Sequence, residues 1–217
     1  MYLDHAVPGE ALLLAASSRA LPAFEQELLL EAVRRPGGRI VFVDSAETFS
    51  YYVFGDLNMQ RGAAADLGAG RILMTRTLTP FQMHKIATTG LQELLQKGGV
   101  DLVLISRFEA QYLKDDLVDW EQASYVPFGL NFLRRLAHEY RVPILITVDY
   151  PHLQTRWPGV AQLIAASRIR RLRVVPTLHG WELHDGATLV FQPPRRFVVL
   201  EDFLAPEQVE PEVEVRT

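Results

Sequence analysis

Three observations on this 217-residue chain predict an α/β domain with a mostly parallel sheet. Short apolar runs alternate with amphipathic helical stretches as far as about residue 166. The apolar runs are continuous rather than alternating, as expected of strands covered on both faces. Beyond that point the period changes to short β runs split by turn residues, which places antiparallel hairpins at the C-terminal edge.

The elements follow in order. Pro8-Gly9 is a turn signal, and Ala11 to Ala16 is a buried strand. Ser17 to Leu21 reads as a loop and Pro22 to Val33 as a helix. Phe24, Leu28, Leu29, Ala32 and Val33 share one helical face. Gly37-Gly38 ends that helix, and Ile40 to Val43 is the core of a second strand. Phe49 to Leu67 reads as helical and Ile72 to Met74 as a third strand. Thr79-Pro80 opens a helix whose apolar stripe runs from Met83 to Leu95, and Gly98-Gly99 closes it.

Leu102 to Ile105 is a fourth strand. Ser106 to Ser124 is polar and mixed, which predicts a long surface loop with some helix. Pro127 to Tyr140 is helical, Pro143 to Val148 is a fifth strand, and Asp149 to Gly159 is a loop stiffened by Pro151 and Pro158. Val160 to Ala166 is a short helix. Residues 172–175, 180–184, 187–191 and 197–200 are short strands, with Asp185-Gly186 as a hairpin turn. One domain over residues 1–200 is expected, followed by a tail whose six acidic residues and two prolines between Glu201 and Thr217 predict flexibility.

Composition bounds the chemistry. The formal net charge of −4 argues against bulk attraction to polyanions, so nucleic-acid contact requires a local basic patch. The chain has no cysteine, which removes disulfides, thiolate catalysis and cysteine zinc sites. No two of the six histidines have helical i, i+4 ligand spacing, so no metal and no cofactor is expected. No apolar run approaches the roughly 20 residues of a membrane helix, and a soluble cytoplasmic protein without membrane contact is expected.

Strand, loop, helix and strand from Ala11 to Asp44 form the frame of a P-loop nucleotide-binding unit. That motif needs glycines so that backbone N–H groups can wrap phosphate, a lysine for the outer phosphates and a hydroxyl for Mg²⁺. The loop here has neither glycine nor lysine.

The pattern resembles the RecA-like core shared by RecA, the Rad-type recombinases and the KaiC-type ATPases. The resemblance spans about residues 8 to 200. It rests on Pro8-Gly9, Phe42-Val43-Asp44 with Glu47-Thr48-Phe49, the run Asp101 to Ser106, and the run Val142 to Thr147. It implies that the P-loop falls on Ala16 to Ala23. The family's glycines then become Ala16 and Leu21, its lysine Pro22 and its Mg²⁺ hydroxyl Ala23. The strand-terminal metal aspartate becomes Ser106, and the catalytic glutamate becomes Ala46 beside Glu47. A triphosphate without lysine, N–H cradle or metal ligands has little to offset its desolvation, so a non-hydrolysing domain without catalytic residues is expected.

Two candidate sites remain. Asp44, Glu47 and Asp149 fall at strand ends, where open α/β sheets place ligands, and are expected either to keep a residual pocket or to be plain strand-end polarity. Arg156, Trp157, Arg168, Arg170, Arg171 and Arg173 are a candidate single-stranded DNA surface, with Trp157 as a stacking ring; the alternative is a solvated face. The resemblance implies an accessory or scaffold role in DNA repair or recombination. A RecA-type recombinase, or self-association, is the partner it suggests. A KaiC-like regulatory module without a DNA role is the alternative, and an enzyme reusing the old cleft is the third reading.

Overall fold

The computed structural model describes residues 2–50, 54–55, 70–113, 119–178 and 180–192. Eight strands form one sheet: β1 (Ala11–Ala16), β2 (Arg39–Asp44), β3 (Ile72–Arg76), β4 (Val100–Ser106), β5 (Ile144–Asp149), β6 (Arg170–Thr177), β7 (Gly180–Asp185) and β8 (Thr188–Phe191). Their order across the sheet is β3-β2-β4-β5-β1-β6-β7-β8. The first six are parallel to their neighbours, and β7 and β8 add antiparallel strands at one edge. The α/β class, the mostly parallel sheet and the antiparallel C-terminal edge are therefore as the residue pattern predicts.

Alternation within each strand divides the core into two layers. Leu12, Leu14, Ile40, Phe42, Leu104 and Leu145 face helix α1 (Leu21–Arg34). Leu13, Ala15, Val41, Val103, Ile105 and Ile146 face the opposite layer. That layer holds α2 (Pro80–Lys85), a π turn (Ile86–Gly90), α3 (Leu91–Gln96), α4 (Asp119–Tyr140), α5 (Tyr150–Arg156) and α6 (Pro158–Ala165). Crossovers between parallel strands are right-handed, so a chain moving one way along the sheet uses one face and moving back uses the other. At the ends of the adjacent strands β1 and β5 the chain accordingly leaves for opposite faces, through α1 and α5. Such a junction opens a crevice at the carboxyl ends of the strands.

Two stretches differ from the sequence reading. Asp149 to Gly159 is two short helices rather than a loop. The Asp149 carboxylate caps the first, accepting from the His152 N–H at 3.2 Å, and Pro151 and Pro158 each stand in a first turn, where a missing N–H matters little. The helix read from Pro127 begins instead at Asp119, with Pro127 inside it. Thr79 does open α2, its hydroxyl accepting from the Gln82 N–H at 3.2 Å. The helix read over 49–67 falls largely outside the described residues, as do the strand at 197–200, the acidic tail and His179.

Gly129 positions the loop after β4. A Cβ there would meet Phe108 Cζ at 3.0 Å, so any larger residue would push the buried Phe108 ring away from α4 at the 3₁₀ turn Phe108–Gln111. Gly129→Leu should destabilise the fold by roughly 1–3 kcal/mol through overpacking, measured by urea unfolding. Gly159→Ala, which meets nothing within 4 Å, should be neutral or mildly stabilising in the same assay.

Candidate functional site

The segment from Ala16 to Ala23 has no phosphate cradle. Ala16 is the last residue of β1 and pairs with Asp149. The turn that follows closes on itself, because the N–H groups of Ala20 and Leu21 both donate to the Ser17 carbonyl, at 2.9 and 3.1 Å. An anion nest needs such N–H groups to point outward together. Leu21 is fully buried, Pro22 is half-buried in the first turn of α1, and Ala23 is exposed without a polar side chain.

Beneath that turn lies a carboxyl which the sequence reading did not single out. Glu25, in the second turn of α1, is buried between β4 and β5. The Ser106 hydroxyl donates to its Oε2 at 2.8 Å, and the Thr147 hydroxyl donates to its Oε1. Thr147 in turn accepts from the Arg107 N–H at 2.8 Å. Ser106, at the position where the resemblance implies a metal aspartate, is thus occupied in holding Glu25. Burial pushes the Glu25 carboxyl up to about 7, against the two hydroxyl donors and with help from the nearby Asp44 and Glu109 charges. Glu109, in the turn after β4, is also raised to about 7 by burial, although the Asp149 N–H donates to it at 2.9 Å and Arg107 lies 3.7 Å away.

The three strand-end acids do not converge. Asp44 accepts from the N–H groups of Thr48 and Phe49 and pairs with Arg76 at 3.3 Å, so it organises its own loop. Asp149 caps α5. Glu47 is exposed, in a left-handed conformation with φ 57°, and Ala46 beside it is half-buried. The end of β4 separates β2 from β5. Among the described residues no group of three His, Asp or Glu side chains could hold a metal ion.

The arginines divide into two sets. Arg171 and Arg173 alternate with the buried Leu172 and Val174, so both point to the face that carries α5 and α6. There they line a cleft of about 750 Å³ at the carboxyl end of β1, together with Ser17, Tyr150, Gln154 and the carboxyl-bearing Asp185. The Arg171 guanidinium lies over the Tyr150 ring at 4.3 Å. Neither arginine has a carboxylate in ion-pair range among the described residues. Arg170 points elsewhere and pairs with Asp185 at 3.0 Å. Arg168 lies before β6, away from the cleft, and Arg156 is exposed in the last turn of α5. Trp157 is half-buried and packs against the core, so its ring serves packing rather than an open stacking platform.

Glu25 has a legible signal, since it precedes Leu28 and Leu29 by three and four residues and so falls inside the apolar stripe of α1. Glu109 has none, because a 3₁₀ turn has no stripe to violate. The chain matches no protein-family model and no curated protein.

A carboxyl whose pKa is raised on folding adds stability that is full below its unfolded value of 4.5 and is lost as pH rises toward about 7. For Glu25 the loss is about 3 kcal/mol. Glu25→Gln should therefore flatten the fall in unfolding free energy between about pH 5 and pH 8, and should be at least as stable as the parent at the upper end. Equal slopes in urea unfolding of the two proteins would contradict this.

Proposed function

We propose that this chain is a catalytically inactive RecA-like accessory protein in DNA repair or recombination. It binds single-stranded DNA in the cleft beside β1 and works with a RecA-type partner or with copies of itself. The observation that carries the reading is the pair Arg171 and Arg173 in a cleft of about 750 Å³ with Tyr150 beneath one guanidinium. Guanidinium groups free of carboxylates bind phosphate with fixed geometry, and a cationic groove with aromatic walls suits a single strand. The absence of turnover draws support from the closed turn at Ser17 and from Ser106, whose hydroxyl is spent on the buried Glu25.

A second reading, a KaiC-like interaction module without a DNA role, draws on a different feature. Phe81 and Phe128 are 62% and 51% exposed, with His84 and Tyr125 stacked between them on α2 and α4. A contiguous aromatic surface of this kind marks protein contact.

Fluorescence anisotropy with an oligothymidylate of about 20 nucleotides separates the two. Binding should weaken about tenfold in Arg171→Ala/Arg173→Ala, and the slope of log K against log salt should fall by about 1.4. Unchanged affinity would remove the DNA reading. No ATP turnover is expected with Mg²⁺ and single-stranded DNA, and a turnover abolished by Glu47→Gln would overturn the non-catalytic assignment.

A further inference from the structure

We infer that the single-strand track continues past the cleft to a second phosphate-binding station at the opposite end of β6, formed by Arg134, Arg135, His138 and Arg168. This rests on the reading that the cleft takes single-stranded DNA.

The second station is a cavity of about 530 Å³ between the C-terminal half of α4 and the turn that leads into β6. Ile169 borders both this cavity and the cleft, so the two are neighbours on one surface. Arg134 and His138 stand four residues apart on α4 and share a ridge, with Arg135 beside them. Arg168 approaches from the other wall. All four side chains are exposed, and among the described residues none has a carboxylate in ion-pair range. Glu10 is the acidic residue on the cavity wall, against Arg134, Arg135, Arg168 and the Asp185-paired Arg170. In a chain of net charge −4, this places uncompensated cations in one hollow.

Two structural explanations fall short. Cations near a helix C-terminus complement the dipole, but that effect is confined to the last turn. Only His138 lies there; Arg134 and Arg135 precede that turn, and Arg168 is not on the helix. Packing of arginine stems over apolar surface accounts for Arg135, which lies 4.2 Å over the Phe132 ring, but not for Arg134 or Arg168.

The arrangement is a line rather than a plane. Along β6 from Arg170 to Arg173 the chain advances about 10 Å, room for about three phosphates of one strand. The cations at either end lie in hollows, which suits a flexible backbone better than a flat anionic membrane.

The test compares oligothymidylates of about 6 and 20 nucleotides, the shorter filling the cleft alone, in two double variants: Arg171→Ala/Arg173→Ala and Arg134→Glu/Arg135→Glu. The cleft variant should weaken both lengths. The α4 variant should weaken the longer strand about tenfold, reduce its salt slope by about 1.4, and leave the shorter strand unchanged. Loss at the cleft variant with none at the α4 variant overturns the second station and leaves the cleft reading standing. Equal weakening of both lengths by the α4 variant also overturns it, since bulk charge then accounts for the loss. If the parent protein binds neither strand, the cleft reading and this inference fall together. Vesicles of phosphatidylserine and phosphatidylcholine are run in parallel. Binding to them that vanishes in the α4 variant, with the longer strand unaffected, reassigns the patch to a membrane surface. Thermal melts monitor the fold, and Arg134→Gln/Arg135→Gln replaces the charge reversal if that variant melts early.

Discussion

The buried carboxyl of Glu25 is the interaction on which the centre of the molecule depends. It joins α1 to the ends of β4 and β5 through Ser106 and Thr147, and Thr147 passes the connection to the backbone of Arg107. A polar group in this position is tolerated only when its hydrogen bonds are made, and both oxygens have a hydroxyl donor. Its burial raises its proton affinity, so the same contact that closes the site also makes the core sensitive to pH.

This network determines what the strand ends can do. The hydroxyl of Ser106 is engaged with Glu25, Asp44 is engaged with its own loop and Arg76, and Asp149 is engaged with α5. These three strand-end groups are satisfied by the protein itself rather than presented to a ligand. A cleft opens to the side, on the face of β6 beside α5 and α6, where Arg171 and Arg173 stand with Asp185 on the wall. β6 is suited to this, since its alternation puts Leu172 and Val174 into the core and leaves Arg171 and Arg173 on the other face.

Much of the fold was legible in the residues. The continuous apolar runs at Ala11–Ala16, Ile40–Val43 and Leu102–Ile105 fit strands covered on both faces, as the sheet shows, and Thr79-Pro80 is a helix start with a mechanism. The prolines at 151 and 158 misled, because proline breaks a helix interior but fits its first turn, and spacing alone does not tell the two apart. The candidate site was less legible. The arginines after residue 167 stood out as one cluster, yet strand alternation and an ion pair divide them, and Arg134 and Arg135 belong beside Arg168 although some thirty residues separate them.

The sequence by itself determined the class of the fold and the absence of a glycine–lysine phosphate loop between β1 and α1, because both are local. A strand's burial shows in its own side chains, and a phosphate loop needs its glycines and lysine within one short segment. Only the tertiary structure decided which polar groups are already spent and which cations remain free. Those outcomes turn on residues distant in the chain, such as Glu25 with Ser106 and Thr147, or Arg170 with Asp185, and hydrogen bonds and ion pairs act over a few ångströms of space.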